Sequence, residues 1–235
     1  MSAPEPEVLK SRIAVGSRVV LTSLNRGHAL YTTAGHFYST GSKQQVVSLS
    51  EQESTWQFIN ATFHETEPDW TLPPLTYIVD GMRVRLRHES HRNLHSHYHR
   101  PPISTNPTLL NEVSAYGLEG FPGDGNDDWI VEIPSASERH GELWTHIPFR
   151  LKHALTNCYL TAGQDRLPEW GLGNFEVYCD CNAELTEVMA NTLWVVSSSS
   201  HPHVEASVQS DAEPASAEEK ESFMSNVFAS FNLFE

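Results

Sequence analysis

A chain of 235 residues with 39 % apolar side chains and six tryptophans can fill one core, a domain of about 150–200 residues plus tails. Thirty acidic residues against fifteen basic ones leave a net charge of −15, which argues against nucleic acid, heparin-like polyanions and anionic membranes as partners. No apolar run approaches the roughly 20 residues of a membrane helix, and the opening MSAPEPEVLKSR lacks a signal-peptide apolar region, which taken literally places the chain in the cytosol.

Residues 1–12 read as a polar leader. From Ile13 the pattern turns to short alternating segments, the period of half-buried strands. Val19 and Leu21 open the first group, Leu30 starts its second strand, Val46 its third, and Trp56 closes it near residue 59. The link that follows carries the glycosylation sequon Asn60-Ala61-Thr62 and the extended Pro73-Pro74 pair. In the second group, residues 78–133, Val84, Leu86 and His88 fall on one face of the opening strand and Arg83, Arg85 and Arg87 on the other. Asn93-Leu94-His95-Ser96-His97, Glu112 to Tyr116 and Trp129 to Ile133 supply its remaining strands. The third group, residues 145–196, repeats the plan with Phe149 and Leu151, Leu160, Val177 and Trp194.

The opening leucines Leu21, Leu86 and Leu151 are evenly spaced, and three matched four-stranded units predict an all-β body of pseudo-threefold symmetry, a β-trefoil, over residues 13–196. Trp56, Trp129 and Trp194 each sit in a closing strand and are expected in its core. Composition then shifts to a Ser-, Ala- and Glu-rich segment, 197–221, which reads as a disordered acidic linker. Residues 222–235 carry Phe223, Phe228, Phe231 and Phe234 and read as a short amphipathic tail in want of a partner.

The densest ionisable group is the set His88, His91, His95, His97 and His99. His95 and His97 lie two apart on a strand and share one side of it. With Leu94 turned to the core, both are expected at the surface as neutral hydrogen-bond partners for hydroxyl groups. Arg100 lies just beyond Ser96 and His97, and Asn126 and Asp127 are placed to close the same concavity. The acidic turn at Asp124, Asn126, Asp127 and Asp128 is too short for a calcium loop, and no HExxH or CxxC pair proposes a metal. Neither a catalytic nor a metal residue is therefore expected. Trp170 and Arg166 form a second candidate site, where stacking and hydroxyl contacts can hold a sugar, although a packed loop anchor is the plainer expectation for Trp170. Among the cysteines, Cys158 can pair with Cys179 or Cys181 and leave one odd thiol, while three reduced thiols is the plainer expectation.

The middle group, LRHESHRNLHSHYHRPPIS with NEVSAYGLEGFPGDGNDDWIVEI, resembles a MIR motif, and more narrowly the luminal MIR domain of fungal protein O-mannosyltransferases. VGSRVVL with YSTGSKQQVV, and RLKH with CYLTAGQDRLPEWGLGNFEVYC, extend the likeness across residues 13–196. The resemblance implies a β-trefoil in the endoplasmic reticulum lumen, accessory to a membrane-embedded enzyme that moves mannose from dolichyl phosphate mannose to Ser or Thr of secretory proteins. It also implies a mannosylated glycan or acceptor polypeptide as partner. It implies no cofactor in this chain and no transfer by this chain alone, since the family's catalytic acidic residues belong to an earlier luminal loop with no counterpart here. The LHSH-like strand survives only at Leu94-His95-Ser96-His97, so little binding is expected at the matching Thr33 and Gly163. The alternative is a stand-alone MIR scaffold or chaperone-like protein of the secretory pathway.

Overall fold

The computed structural model describes residues 11–61, 75–104, 109–121, 123–135, 141–182 and 189–200. The leader up to residue 10, most of the proline-bearing link, the linker beyond residue 200 and the aromatic tail lie outside these; residues 197–200, expected as the start of the linker, instead continue the last strand, with 198–200 paired to residues 18–20. Twelve strands carry the described chain: β1 Arg18–Ser23, β2 Ala29–Phe37, β3 Gln45–Ser50, β4 Trp56–Asn60, β5 Arg83–His88, β6 Asn93–Ser96, β7 Leu110–Tyr116, β8 Trp129–Glu132, β9 Arg150–His153, β10 Tyr159–Arg166, β11 Phe175–Asp180 and β12 Trp194–Ser200. Short 3₁₀ turns, Gly125–Asp127 among them, complete the described elements. The fold is all-β, as the alternation predicts.

Pairing is antiparallel throughout and closes on itself. β1 lies between β4 and β12, and β4–β5, β5–β8 and β8–β9 continue the ring. A bridge between Phe149 and Trp194 joins the entry of β9 to β12. The hairpins β2–β3, β6–β7 and β10–β11 cover this ring, and β3, β7 and β11 pair with one another.

The core fills the ring. Trp56, Trp129 and Trp194 are fully buried, packed with Leu21, Leu86 and Leu151. Each indole N–H donates at 3.0 Å to the carbonyl of the leucine in the second strand of its own group: Leu30, Leu94 and Leu160. Burial of a large ring and satisfaction of its one polar atom thus come from one contact, repeated three times.

Two expectations need correction. The third strand of the first group is anchored by Val47, not Val46: Val47 pairs with Thr32 as Val113 pairs with Ser96 and Val177 with Ala162. Val46 takes instead the place of Glu112 and Glu176, opposite Ser114. The reduced-thiol expectation also fails, because Cys158 is joined to Cys181. The last pair of the β10–β11 hairpin is Tyr159 with Asp180, so the residues one step beyond face each other. Constraining a 23-residue separation in the unfolded chain contributes about 3 kcal/mol. Cys179 points into the core as a free thiol, and burial pushes its pKa up to about 12.

Two of the histidines belong to the core. His88 packs tilted against Trp56 at 5.3 Å and His153 edge-on against Trp129 at 5.1 Å, and burial lowers both pKa values below 6.5. A depressed histidine contributes stability that is present above the unfolded value and is lost as pH falls below it, because the unfolded chain accepts protons that the core refuses. The carboxyls of Glu176 and Asp180, raised by burial, act in the opposite sense and blunt the trend. The melting temperature is therefore expected to fall between about pH 7 and about pH 5.5, and a His88→Gln/His153→Gln variant to show a flatter profile. An unchanged slope in that variant would remove these two rings as the cause.

Candidate functional site

The site grows from β6 and the turn before β8. Leu94 is buried in the core, as strand alternation demands, but the other face of β6 is covered as well. His95 is only 3 % exposed, which corrects the expectation that both histidines turn to the surface. What covers it is the acidic turn. Asp124 caps the 3₁₀ turn by accepting from the Asn126 amide at 2.8 Å, and Asp127 answers by accepting from the Asp124 amide at 2.9 Å. This reciprocal box carries the Asp127 carboxylate inward. There it accepts from Asn93 Nδ2 at 3.1 Å and from His95 Nδ1 at 2.7 Å.

A second carboxylate holds the second histidine. Glu112 is buried, and its Oε1 accepts from His97 Nε2 at 3.2 Å and from the Ser42 hydroxyl. Its Oε2 is buried without a hydrogen-bond partner among the described residues and lies against Gly41, whose φ of +63° and missing Cβ leave it room. Gly123 does the same for Asp127: at φ +85°, a Cβ there would sit 2.5 Å from Asp127 Oδ2. Neutral histidine that donates from one ring nitrogen keeps an acceptor on the other, so each carboxylate sets a tautomer as well as an orientation.

The imidazoles belong to a continuous aromatic strip. His97 meets His95 at 5.0 Å and His99 at 4.7 Å, both edge to face. His95 meets Tyr116 at 5.0 Å, and Tyr116 meets Phe121 at 5.7 Å. His99 is exposed and Tyr116 is 37 % exposed, so the strip reaches solvent at Tyr116 and at its His99 end. Alongside it, Arg83 and Arg85 both bind Asp128 at 2.6 Å. That pairing buries Arg85, one of the three arginines expected on the open face of β5.

The other sequence candidates fall as follows. Ser96 is fully buried and donates to the Glu112 carbonyl at 3.1 Å. Asn126 is brought to the same turn as Asp127, and its carbonyl accepts from His153 Nε2 at 3.0 Å. Arg100 is exposed and makes no hydrogen bond or ion pair with the histidines among the described residues. Arg166 donates to the Gly173 carbonyl at 2.8 Å and covers the Phe175 ring at 4.2 Å. Trp170 packs edge-on against Tyr38 at 5.6 Å in a small apolar cluster with Val46 and Leu167, the packed loop anchor that was the plainer expectation. Sequence reading missed Glu112, Asn93 and Tyr116, since a carboxylate in a buried stretch of strand is legible only once its partner strand is known.

His95, Asp124 and Asp127 bring ligand atoms within 4.8 Å of one another, but the hydrogen bonds above already employ all three. In the first group, Tyr31 and Thr33 hold the register places of His95 and His97. They line an open groove of about 690 Å³ with Glu53, Ser54, His88 and Glu89.

A family model described as MIR domain matches residues 23–196. The chain is 41 % identical over 178 residues to dolichyl-phosphate-mannose–protein mannosyltransferase 5 of Saccharomyces cerevisiae, covering 72 % of this chain and 23 % of that one. It is 37 % identical over 179 residues to dolichyl-phosphate-mannose–protein mannosyltransferase 1 of Candida albicans, covering 73 % and 20 %. The chain thus spans less than a quarter of the length of these curated relatives. Among solved structures it is similar to a chain of the S. cerevisiae protein O-mannosyltransferase Pmt1–Pmt2 complex bound to the sugar donor, with TM-score 0.76 and 31 % identity over 98 % of this chain and 32 % of that one. An SDF2-like protein from Arabidopsis thaliana shares the fold, with TM-score 0.66 at 23 % identity over 81 % of this chain and 97 % of that one.

Proposed function

The chain belongs to the MIR domain family, and on that premise we propose that it is an accessory recognition domain for protein O-mannosylation, binding mannosylated glycan or acceptor polypeptide in the endoplasmic reticulum lumen. Its partner in this reading is a membrane-embedded mannosyltransferase, joined to it as the remainder of one chain or as a separate subunit. Dolichyl phosphate mannose is the donor of that enzyme and not a ligand of this domain. The pairing pattern, a closed ring covered by three mutually paired hairpins, supports reading the fold as a β-trefoil of three MIR repeats.

The observation that carries the binding role is the aromatic strip with its two carboxylate-locked imidazoles. Sugar recognition needs apolar rings for the C–H faces and fixed acceptors or donors for the hydroxyls, and both are supplied at Tyr116, His97 and His99, with His95 buried behind them. Hydrogen bonds to neutral groups contribute about 1 kcal/mol each, so one sugar bound here is held at about −4 kcal/mol, a millimolar affinity.

The test is an NMR titration of the domain with oligomannose and, separately, with a Ser/Thr-rich peptide. Shifts are expected at Tyr116, His97 and His99. Tyr116→Ala should weaken them at least tenfold with little change in melting temperature, because its partners are ring contacts. His97→Gln keeps a side-chain N–H for Glu112 and removes the imidazole, and it should do the same. Shifts confined to Trp170 and Arg166 would move the site to that loop. A second reading rests on the open groove of about 690 Å³ at the first repeat. Shifts centred on Thr33 and Ser54, insensitive to Tyr116→Ala, would establish that groove in place of the strip.

A further inference from the structure

We infer that Glu176, in the third group, is the positioning residue for the aromatic strip of the second: its carboxylate fixes the loop that carries His99. The inference deepens the recognition role given to that strip and rests on it.

Glu176 lies on β11, opposite Ser48 of β3, and is fully buried. A carboxylate taken out of water has to be met by donors. Among the described residues its side-chain donors all come from one place, the loop between β6 and β7. The Ile103 N–H donates to Oε1 at 3.0 Å and the Ser104 N–H to Oε2 at 2.9 Å, and the Ser104 hydroxyl also donates to Oε2. Two of these are amides that can only donate, so the ionised acid is the form they fit.

The same loop is held at a second point, where the Glu112 N–H donates to the His99 carbonyl at 2.7 Å. Ile103 packs against the apolar cluster of Tyr38, Val46 and Leu167. His99 therefore sits between an anchor inside its own group and a clasp that crosses into the next.

The clasp is one of three. Val46, Glu112 and Glu176 hold one place in the three groups, and each receives the hairpin connection of another group. Glu112 takes the Ser42 hydroxyl from the β2–β3 turn, Glu176 takes the β6–β7 loop, and Val46 packs with Leu167 and Trp170 from the β10–β11 turn. The two carboxylates among them serve the strip: Glu112 binds His97 directly, and Glu176 secures the loop on which His99 follows. A ring held in place before its ligand arrives loses less freedom on binding.

The experiment uses the full chain. Amide relaxation at Tyr98, His99 and Arg100 and titration with oligomannose are compared in the parent, in Glu176→Gln, which keeps the side-chain volume and one oxygen, and in Ser104→Ala. The last removes one donor at a partly exposed position and leaves the core whole. Both variants should show faster motion at the three amides, larger in Glu176→Gln, with β6 and β10 as ordered as in the parent. Oligomannose binding should weaken about fivefold in Glu176→Gln, the cost of ordering one or two ring side chains, and less in Ser104→Ala. Val177→Ala, a core change one residue away, should lower the melting temperature without mobilising the loop. A loop as ordered in both variants as in the parent would overturn the inference, and so would a mobile loop with unchanged affinity. If Glu176→Gln does not fold, Ser104→Ala decides by the same two readouts. No shifts in the parent with oligomannose or with the Ser/Thr-rich peptide would overturn the recognition reading and the positioning role together, which the relaxation data distinguish from failure of the clasp alone.

Discussion

Replacing Asp127 by alanine is expected to destabilise the domain by about 3–5 kcal/mol, the range for removing one partner of a buried, hydrogen-bonded charge. Three donors converge on that carboxylate: the Asp124 amide, Asn93 Nδ2 and His95 Nδ1. Alanine leaves the last two buried and unpaired and opens the capping box, so the turn over β6 loosens with it. Asp127→Asn keeps one carbonyl oxygen in place of the carboxylate and should cost clearly less. Urea unfolding of both variants measures the difference. An alanine variant within about 1 kcal/mol of the parent would show that the turn repacks and that His95 is oriented by something else. Ligand-induced shifts should weaken in Asp127→Ala even under conditions where it remains folded, because His95, against which His97 and Tyr116 pack, is no longer held in place.

Trp129→Ala is the other large effect, also expected at about 3–5 kcal/mol for an aromatic side chain removed from a closed core. The ring is fully buried, packs on His153, and its N–H binds the Leu94 carbonyl. Trp129→Phe separates packing from the hydrogen bond: it should cost less than alanine, yet leave the Leu94 carbonyl without that donor, at about 1–3 kcal/mol. Because Leu94 is the residue before His95, the phenylalanine variant should also broaden the NMR signals of β6. Equal stabilities for the phenylalanine variant and the parent would show that the indole nitrogen contributes nothing net. Thermal and urea unfolding, compared with Trp56→Phe and Trp194→Phe, check whether three like contacts have like costs.

Much of the fold was legible because it depends on period. Apolar residues alternate along each strand, the leading leucines are evenly spaced, and a tryptophan ends each group, so the all-β class and the core tryptophans follow from residue pattern alone. Register was less legible. Val46 and Val47 are chemically equivalent in the sequence, and only the partner strand separates them: Val47 faces Thr32 and the core, while Val46 faces Ser114 and packs with Tyr38 and Leu167. The disulfide was open for a like reason, since the choice between Cys179 and Cys181 depends on where the β10–β11 ladder ends.

The candidate site divides along the same line. The residue types at β6 and the acidic turn marked a place rich in donors and acceptors, and alternation placed Leu94 in the core and His95 and His97 together on the opposite face. Whether that opposite face met water was not a property of the strand. It was settled by a turn more than thirty residues away, which folds Asp127 over His95, and by Glu112 on the neighbouring strand, which takes His97. Side-chain direction is local and period-bound, so the sequence by itself determined it. Burial, tautomer and charge pairing are sums over neighbours brought together by closure of the sheet, and only the tertiary structure decided them.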